Sequence, residues 1–139
     1  MSNSGEAIPL GTHALFIEGD TVVLVQNGDY RLDDAVKTHE HIEKVLYSVG
    51  RVFVLVNQAN AGSTDAEVRR FLAEWNKHHR VSAAAIFGGG AIAQKASALA
   101  VSVIRFLRRD PVPFGFFATE RDARAWIAKQ RALLETKKA

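Results

Sequence analysis

Apolar residues along the chain occur in two kinds of pattern, short continuous runs and longer runs with helical spacing. The short runs are rich in β-branched and aromatic residues and predict strands at residues 13–18, 21–26, 52–58, 81–87 and 112–117. The longer runs repeat every three or four residues and predict helices at about 32–49, 64–79, 92–107 and 119–134. The predicted order of elements is therefore ββαβαβαβα.

This order of elements predicts an α/β fold with a single mixed sheet. The first two strands are separated only by Gly19 and Asp20, which is typical of an antiparallel hairpin. The later strands are joined through helices, so we expect them to be parallel. The segment 27–29 is predicted to turn the chain, and Gly50 is predicted to end the first helix. The expected architecture is one sheet of about five strands with four helices.

A chain of 139 residues is expected to form one domain. We assign that domain to residues 12–134, with a flexible arm at 1–11 and a flexible tail at 135–139. The N-terminus lacks the basic and apolar regions of a secretory signal. The longest uncharged stretch, 81–94, is too short to cross a membrane. We therefore expect a cytoplasmic protein without a membrane span.

Composition excludes several kinds of chemistry. The chain has no cysteine, which excludes disulfides, a thiol nucleophile and a thiolate zinc site. Its histidines include the neighbours His39 and His41 and the pair His78 and His79, but none are spaced as a helical ligand pair, so no metal is expected. The net charge is only +3, and the basic clusters are short and broken by acids, so nucleic acid is not an expected partner.

Four segments resemble the SpoIIAA-like branch of the STAS superfamily. They are the predicted hairpin, the turn Gly28-Asp29-Tyr30, the strand 51–58 running into a helix with Glu67-Val68-Arg69-Arg70, and the ending Phe117 to Ile127, with its Ala-x-Ala-Trp-Ile core. The resemblance covers roughly residues 12–130. It implies a STAS-like fold, a role as an interaction module in signal transduction, and no enzyme activity or cofactor. SpoIIAA-like proteins also overlap structurally with lipid carriers of the Sec14 type, which implies ligand binding for some of them.

The resemblance also points to a phosphorylation site. Anti-sigma-factor antagonists of this family carry a phosphorylatable serine in an Asp-Ser-Ser-Gly-like segment after a buried strand. Here the corresponding segment is Asn60-Ala61-Gly62-Ser63-Thr64-Asp65, which lacks that pattern. Ser63 and Thr64 fall near the position of the family's phosphoserine.

One edge of the sheet is the expected place for a ligand, because open α/β sheets bind ligands beyond the carboxyl ends of their parallel strands. The segments 57–64, 88–91 and 118–120 should converge there, and each leads into a helix N-terminus, which favours an anion. The candidate residues for an anion-binding edge or a phospho-switch are Asn60, Ser63, Thr64, Gly88, Gly89, Gly90 and Thr119. The alternative is structural: the hydroxyl residues cap helices, with Thr64 and Glu67 in a capping box, and the glycines form a turn.

The third predicted helix is apolar around most of its circumference, which is typical of a helix that is buried or that contacts a further partner. One face carries Ile92, Ala96, Leu99, Val103 and Leu107. Three interpretations follow for this face: a core helix covered by its neighbours, a homodimer surface, or the wall of an apolar pocket.

The sequence thus predicts a non-enzymatic regulatory module that binds another protein, a second copy of itself, or an anionic or apolar small ligand. The alternative function is a small carrier of lipid or another apolar ligand.

Overall fold

Six strands and four helices build the fold, and the computed structural model describes residues 6–107 and 112–138. The sheet follows chain order, β1-β2-β3-β4-β5-β6. The strands are β1 (Ile8–Leu10), β2 (His13–Glu18), β3 (Thr21–Tyr30), β4 (Phe53–Thr64), β5 (Ala83–Phe87) and β6 (Phe114–Phe117). The helices are α1 (Leu32–Val49), α2 (Ala66–His78), α3 (Ala91–Leu107) and α4 (Glu120–Lys138).

The pairing of the strands confirms a mixed α/β sheet. Strands β1, β2 and β3 are antiparallel neighbours, whereas β3, β4, β5 and β6 are parallel. The parallel pairs are those that helices connect, as the predicted order requires.

Both ends of the chain contribute more regular structure than the arm and tail assigned from the sequence. Ile8–Leu10 pairs with β2, so the sheet has six strands where about five were expected. Gly11 makes this short hairpin feasible, because its φ of 60° is the left-handed conformation that glycine adopts without strain. At the other end α4 continues to Lys138, and Glu135 of that extension accepts a hydrogen bond from Arg51 at 3.0 Å.

The predicted turn at 27–29 is strand, and so is the segment 60–63, which lies beyond the predicted end of the strand at 58; both findings correct the expectations from the sequence. The two segments pair with each other, with Asn27 opposite Asn60 and Gly28 opposite Ala61. His13 also holds this end of β3, since its Nδ1 accepts from the Asn27 amide at 2.8 Å and its Nε2 donates to the Asp29 carbonyl at 2.9 Å. Turn-forming residue types were overridden here by backbone hydrogen bonds to a distant segment.

The extended pair of β3 and β4 contains two irregularities. Val25 pairs with Asn57, Asn27 with Asn60 and Tyr30 with Thr64, so β4 gains one residue at each shift. Extra residues of this kind bend a strand and re-aim its side chains. Both irregularities lie beyond Asn57, in the part of β4 that leads into α2.

The two faces of the sheet carry separate cores. Val22, Leu24 and Val54 belong to a cluster with residues of α1 and α2, whereas Phe53 and Leu55 pack with residues of α4. The alternation along β4 explains this division, since successive side chains of a strand point to opposite faces. Helices α1, α2 and α3 therefore lie on one face and α4 on the other.

Candidate functional site

A cavity that is open at one end lies between the sheet and the helices α1, α2 and α3. Its volume is about 350 Å³. The wall is mostly aliphatic and aromatic, with Leu24, Ile42, Val54, Leu72, Ile86 and Val101 among its residues. Protein interiors are close-packed and leave few voids larger than a water molecule. A cavity of this size lies within the roughly 300–1,000 Å³ range of small-molecule sites, so it is the candidate ligand site of the fold.

Small side chains keep this cavity open. Ala84, the second residue of β5, lies on the cavity face, and its neighbours Ala83 and Ala85 face α4. A methyl group at position 84 leaves the space above the strand unfilled. Trp75 from α2 forms another part of the wall and is 6% exposed.

The titratable side chains that line the cavity from β3 and α1 are neutral near pH 7. The Tyr30 hydroxyl donates to Thr38 Oγ1 at 3.0 Å, and burial raises the pKa of Tyr30 far above its ordinary value. Burial lowers the pKa of His39 to about 4, against the hydrogen bond that its Nδ1 donates to the Ala35 carbonyl at 2.8 Å. The interior of the site is therefore uncharged there, which suits an apolar occupant.

Gln58 places a polar group in this apolar wall. Its Nε2 donates to Ser97 Oγ at 2.9 Å, and both residues line the cavity. Within the described part of the chain, its Oε1 is buried and has no hydrogen-bond partner. A buried acceptor without a partner costs free energy, so a hydrogen-bond donor placed against Gln58 Oε1 would be stabilising.

The cavity reaches the surface beside the carboxyl end of β4. Gly62 and Ser63 are exposed there, and Arg69 of α2 is partly exposed. The Arg69 guanidinium donates one long hydrogen bond, 3.4 Å, to the Thr64 carbonyl. Among the ion pairs of residues 6–107 and 112–138, none involves Arg69.

Ser63 is held by Asp29 across the β3–β4 pair. The Ser63 amide and hydroxyl both donate to Asp29 Oδ1, at 2.9 and 3.0 Å. These two bonds hold the pKa of Asp29 below its ordinary value. A carboxylate thus already occupies the donors that the anion-binding hypothesis assigns to Ser63, and an external anion would have to displace it.

The helix caps follow from these strands. Since β4 continues through Thr64, the N-cap of α2 is Asp65, and the expected capping box of Thr64 with Glu67 is not formed. Thr119 does cap α4, accepting from the Asp122 amide at 3.2 Å. Gly50, with φ 93°, ends α1 as predicted.

The three segments expected at one sheet edge meet around Gly88. Its amide donates to the Phe117 carbonyl at 3.3 Å, and a Cβ on it would lie 3.2 Å from the Ala59 amide nitrogen. The candidate edge residues nevertheless fall into two groups. Ser63 and Thr64 line the cavity, whereas Asn60, Gly88, Gly89, Gly90 and Thr119 lie outside its lining.

Three of the described side chains of helix α3 line the cavity. Ser97, Val101 and Ile104 face the cavity, and Leu99 of the singled-out face is 56% exposed. The side chains of Ile92, Ala96, Val103 and Leu107 lie outside the described residues. A homodimer surface that includes Leu99 stays a prediction.

Sequence analysis did not single out Gln58, His39 or Arg69 as binding residues. A signal existed for Gln58, because it continues the two-residue period of Val54 and Val56 on one face of β4. Arg69 adjoins Val68 on a helix that was already predicted, but its place in the cavity wall follows from the tertiary packing.

The described residues form neither a metal-binding cluster nor a membrane-spanning helix. No group of three or more His, Asp or Glu residues in the described ranges is arranged to hold a metal ion. Likewise, none of the helices within 6–107 and 112–138 has the length and apolar character to span a bilayer.

The fold defined by this sheet and its helices is SpoIIAA-like, which confirms the mixed α/β architecture expected from the sequence. An uncharacterized protein of the DUF3478 family with a SpoIIAA-like fold, from Shewanella loihica PV-4, superposes with a TM-score of 0.63. It is 19% identical, and the match covers 88% of this chain and 98% of that one.

A second solved structure has the same fold. The anti-sigma factor antagonist SpoIIAA in its unphosphorylated form superposes with a TM-score of 0.57 at 12% identity, covering 84% of this chain and 98% of that one. No protein-family model and no curated protein matches the sequence.

Proposed function

We propose that this chain is a non-enzymatic ligand-binding module that takes an apolar small molecule into the cavity between the sheet and α1, α2 and α3. The observation that carries the proposal is the cavity itself, about 350 Å³ of apolar space in an otherwise packed core. Carriage of a lipid or a similar apolar molecule is the form of binding that this site supports best.

The neutral interior supports the same conclusion. Burial disfavours charge on Tyr30 and His39, and their hydrogen bonds go to neighbouring protein groups. Tyr30 and His39 therefore form part of a neutral cavity wall that excludes water, as expected of a site for an apolar ligand.

Titration with 1-decanol tests the proposal, because the cavity contains its own reporter. Trp75 lines the site, whereas Trp126 packs on the opposite face of the sheet, so a Trp126→Phe background isolates the Trp75 fluorescence. We expect saturable binding at one site.

Cavity-filling variants provide the control for that titration. Ala84→Leu and Val101→Phe each place bulk in the space and should weaken binding at least tenfold, whereas Ala98→Leu on the exposed side of α3 should not. Circular dichroism shows which variants fold. Unchanged affinity in a folded, filled variant would contradict the proposal.

A regulatory protein interaction is the second candidate, favoured by the fold shared with an anti-sigma factor antagonist. In this function Ser63 or Thr64 carries a phosphate, whose charge would repel Asp29 and loosen the end of β4. Tryptic peptide 52–69 contains only these two hydroxyl residues. Mass spectrometry of that peptide from native cells should show an 80 Da addition; an unmodified peptide under all growth conditions contradicts this candidate. A cytoplasmic location stays a prediction.

A further inference from the structure

Arg69 forms no ion pair within the described residues, in contrast to Arg51, Arg124 and Arg131. Arg51, Arg124 and Arg131 each pair with a carboxylate at 2.7 to 3.0 Å. The only hydrogen bond described for Arg69 is the 3.4 Å bond to the Thr64 carbonyl. A guanidinium has five N–H donors, so most of the donors of Arg69 remain for another group.

Arg69 lies at the mouth of the cavity, so its guanidinium can reach a group bound there. The side chain forms part of the cavity lining, and the adjacent Val68 is fully buried in the same wall. Leu72, one turn along α2, also lines the cavity. A cation at the mouth of an apolar cavity is the pattern that fits a molecule with an apolar tail and a negative head group.

The charged groups beside the mouth favour a head group of low charge, since the Asp29 carboxylate lies there with Arg31 close enough to lower its pKa. Asp29 lies across the rim, where its carboxylate is held by the amide and hydroxyl of Ser63. A doubly charged phosphate beside Arg69 would also meet this carboxylate, whereas a carboxylate head needs only one cation. The planar guanidinium can bind the two oxygens of a carboxylate in parallel.

The volume of the cavity sets the length of the tail. A dry apolar cavity of about 150 Å³ holds benzene, which has six carbon atoms. By that proportion the present cavity, about 350 Å³, holds roughly 14 non-hydrogen atoms. A straight chain of ten to twelve carbons fills it.

We infer that the ligand is a medium-chain carboxylate, with its tail in the cavity and its head group bound by Arg69 at the mouth. This inference rests on the proposed function, since it assigns the chemistry of the ligand in the same cavity. It assigns recognition of the head group to Arg69. It also specifies a class of ligand that a purely apolar site would not select.

Three ligands with the same tail test the inference: decanoate, 1-decanol and decyltrimethylammonium. At pH 7.5 and low salt, we expect decanoate to bind the wild type about tenfold or more tighter than 1-decanol, as a charge-assisted pair provides. Decyltrimethylammonium should bind most weakly. Trp75 fluorescence in the Trp126→Phe background reports all three titrations.

Two neighbouring arginines supply a matched pair of variants. Arg69→Gln should weaken decanoate binding about tenfold and leave 1-decanol binding unchanged. Arg70→Gln removes the same charge from the next position of α2, which is exposed and outside the cavity lining, and should change neither. Added salt should weaken decanoate binding more in the wild type than in Arg69→Gln.

The outcomes separate this inference from the proposed function. Equal affinities for decanoate and 1-decanol, or an equal loss of both in Arg69→Gln, overturn the role of Arg69 and leave the apolar site intact. Failure of all three ligands to bind overturns the proposed function as well.

Discussion

Gln58 on β4 donates a hydrogen bond from Nε2 to the hydroxyl of Ser97 on α3, 2.9 Å away. This bond ties the third helix to the centre of the sheet at the edge of the cavity. The Oε1 of the same amide is buried and has no hydrogen-bond partner within the described residues, which lowers the free energy of unfolding.

A double-mutant cycle on these two residues measures that cost. Ser97→Ala leaves both ends of the Gln58 amide without a partner and should destabilise the protein by about 1–3 kcal/mol. Adding Gln58→Met removes the stranded amide and should recover most of the loss, because an apolar pair of similar shape has no unmet hydrogen bonds. Urea denaturation gives both free energies of unfolding. A neutral Ser97→Ala would show that the bond contributes nothing to stability.

Gly62 is predicted to tolerate no side chain. A Cβ there would lie 2.8 Å from the Gly28 carbonyl carbon and 2.9 Å from the Asp29 amide nitrogen, so the paired backbone of β3 would have to move. Gly62→Ala should destabilise the protein by about 1–3 kcal/mol in thermal or urea unfolding. Gly90→Ala is the matched control, since a Cβ there meets nothing within 4 Å. Similar effects of the two substitutions would contradict this prediction.

His39 should make the protein less stable in mild acid. Burial lowers its pKa to about 4 in the folded state, against about 6.5 in the unfolded chain. The unfolded state therefore binds the proton first, and stability is lost as the pH falls from about 6.5 towards 4. Two titratable neighbours act on His39 through their charge: Glu43 raises the pKa of His39, and His79 lowers it.

Histidine NMR signals check this prediction directly. The ring resonances of His39 should stay at neutral-form positions down to about pH 5. His39→Gln should flatten the dependence of unfolding free energy on pH between 6.5 and 4. A His39 signal that titrates at pH 6 or above would refute the assignment.

Asp29 should contribute stability only while it is ionised. Hydrogen bonds from the Ser63 amide and hydroxyl lower its pKa in the folded state, so its contribution is present above the ordinary value of about 3.9 and is lost as the pH falls through the folded value. Ser63→Ala should raise the Asp29 pKa towards that ordinary value, as measured by carboxyl carbon NMR. Ser48→Ala, whose hydroxyl bonds only within α1, should leave the Asp29 pKa unchanged.

The order of the elements after β1 could be predicted from the sequence, because each of them depends on neighbouring residues. The run 52–58 is apolar on both faces and becomes the central strand β4, and the period of Leu32 to Val49 becomes α1. Gly50 and Thr119 act at helix ends as expected, since caps are local interactions.

The site could not be predicted in the same way because its parts come from seven elements. The residue types at 27–29 and 60–63 favour turns in isolation, and only their mutual backbone pairing makes them strands. That pairing extends β4 through Thr64, so the N-cap of α2 is Asp65 and not Ser63 or Thr64.

The alternation of apolar and polar residues by itself determined the α/β class, the connectivity and which strands are buried on both faces. The tertiary structure alone decided that α3 turns Val101 and Ile104 inward while Leu99 is exposed, that Ala84 leaves a cavity unfilled, and that Arg69 stands at its mouth. The physical reason is that periodicity reports whether a residue is buried, whereas a cavity depends on how side chains distant in the sequence fail to fill the space between them.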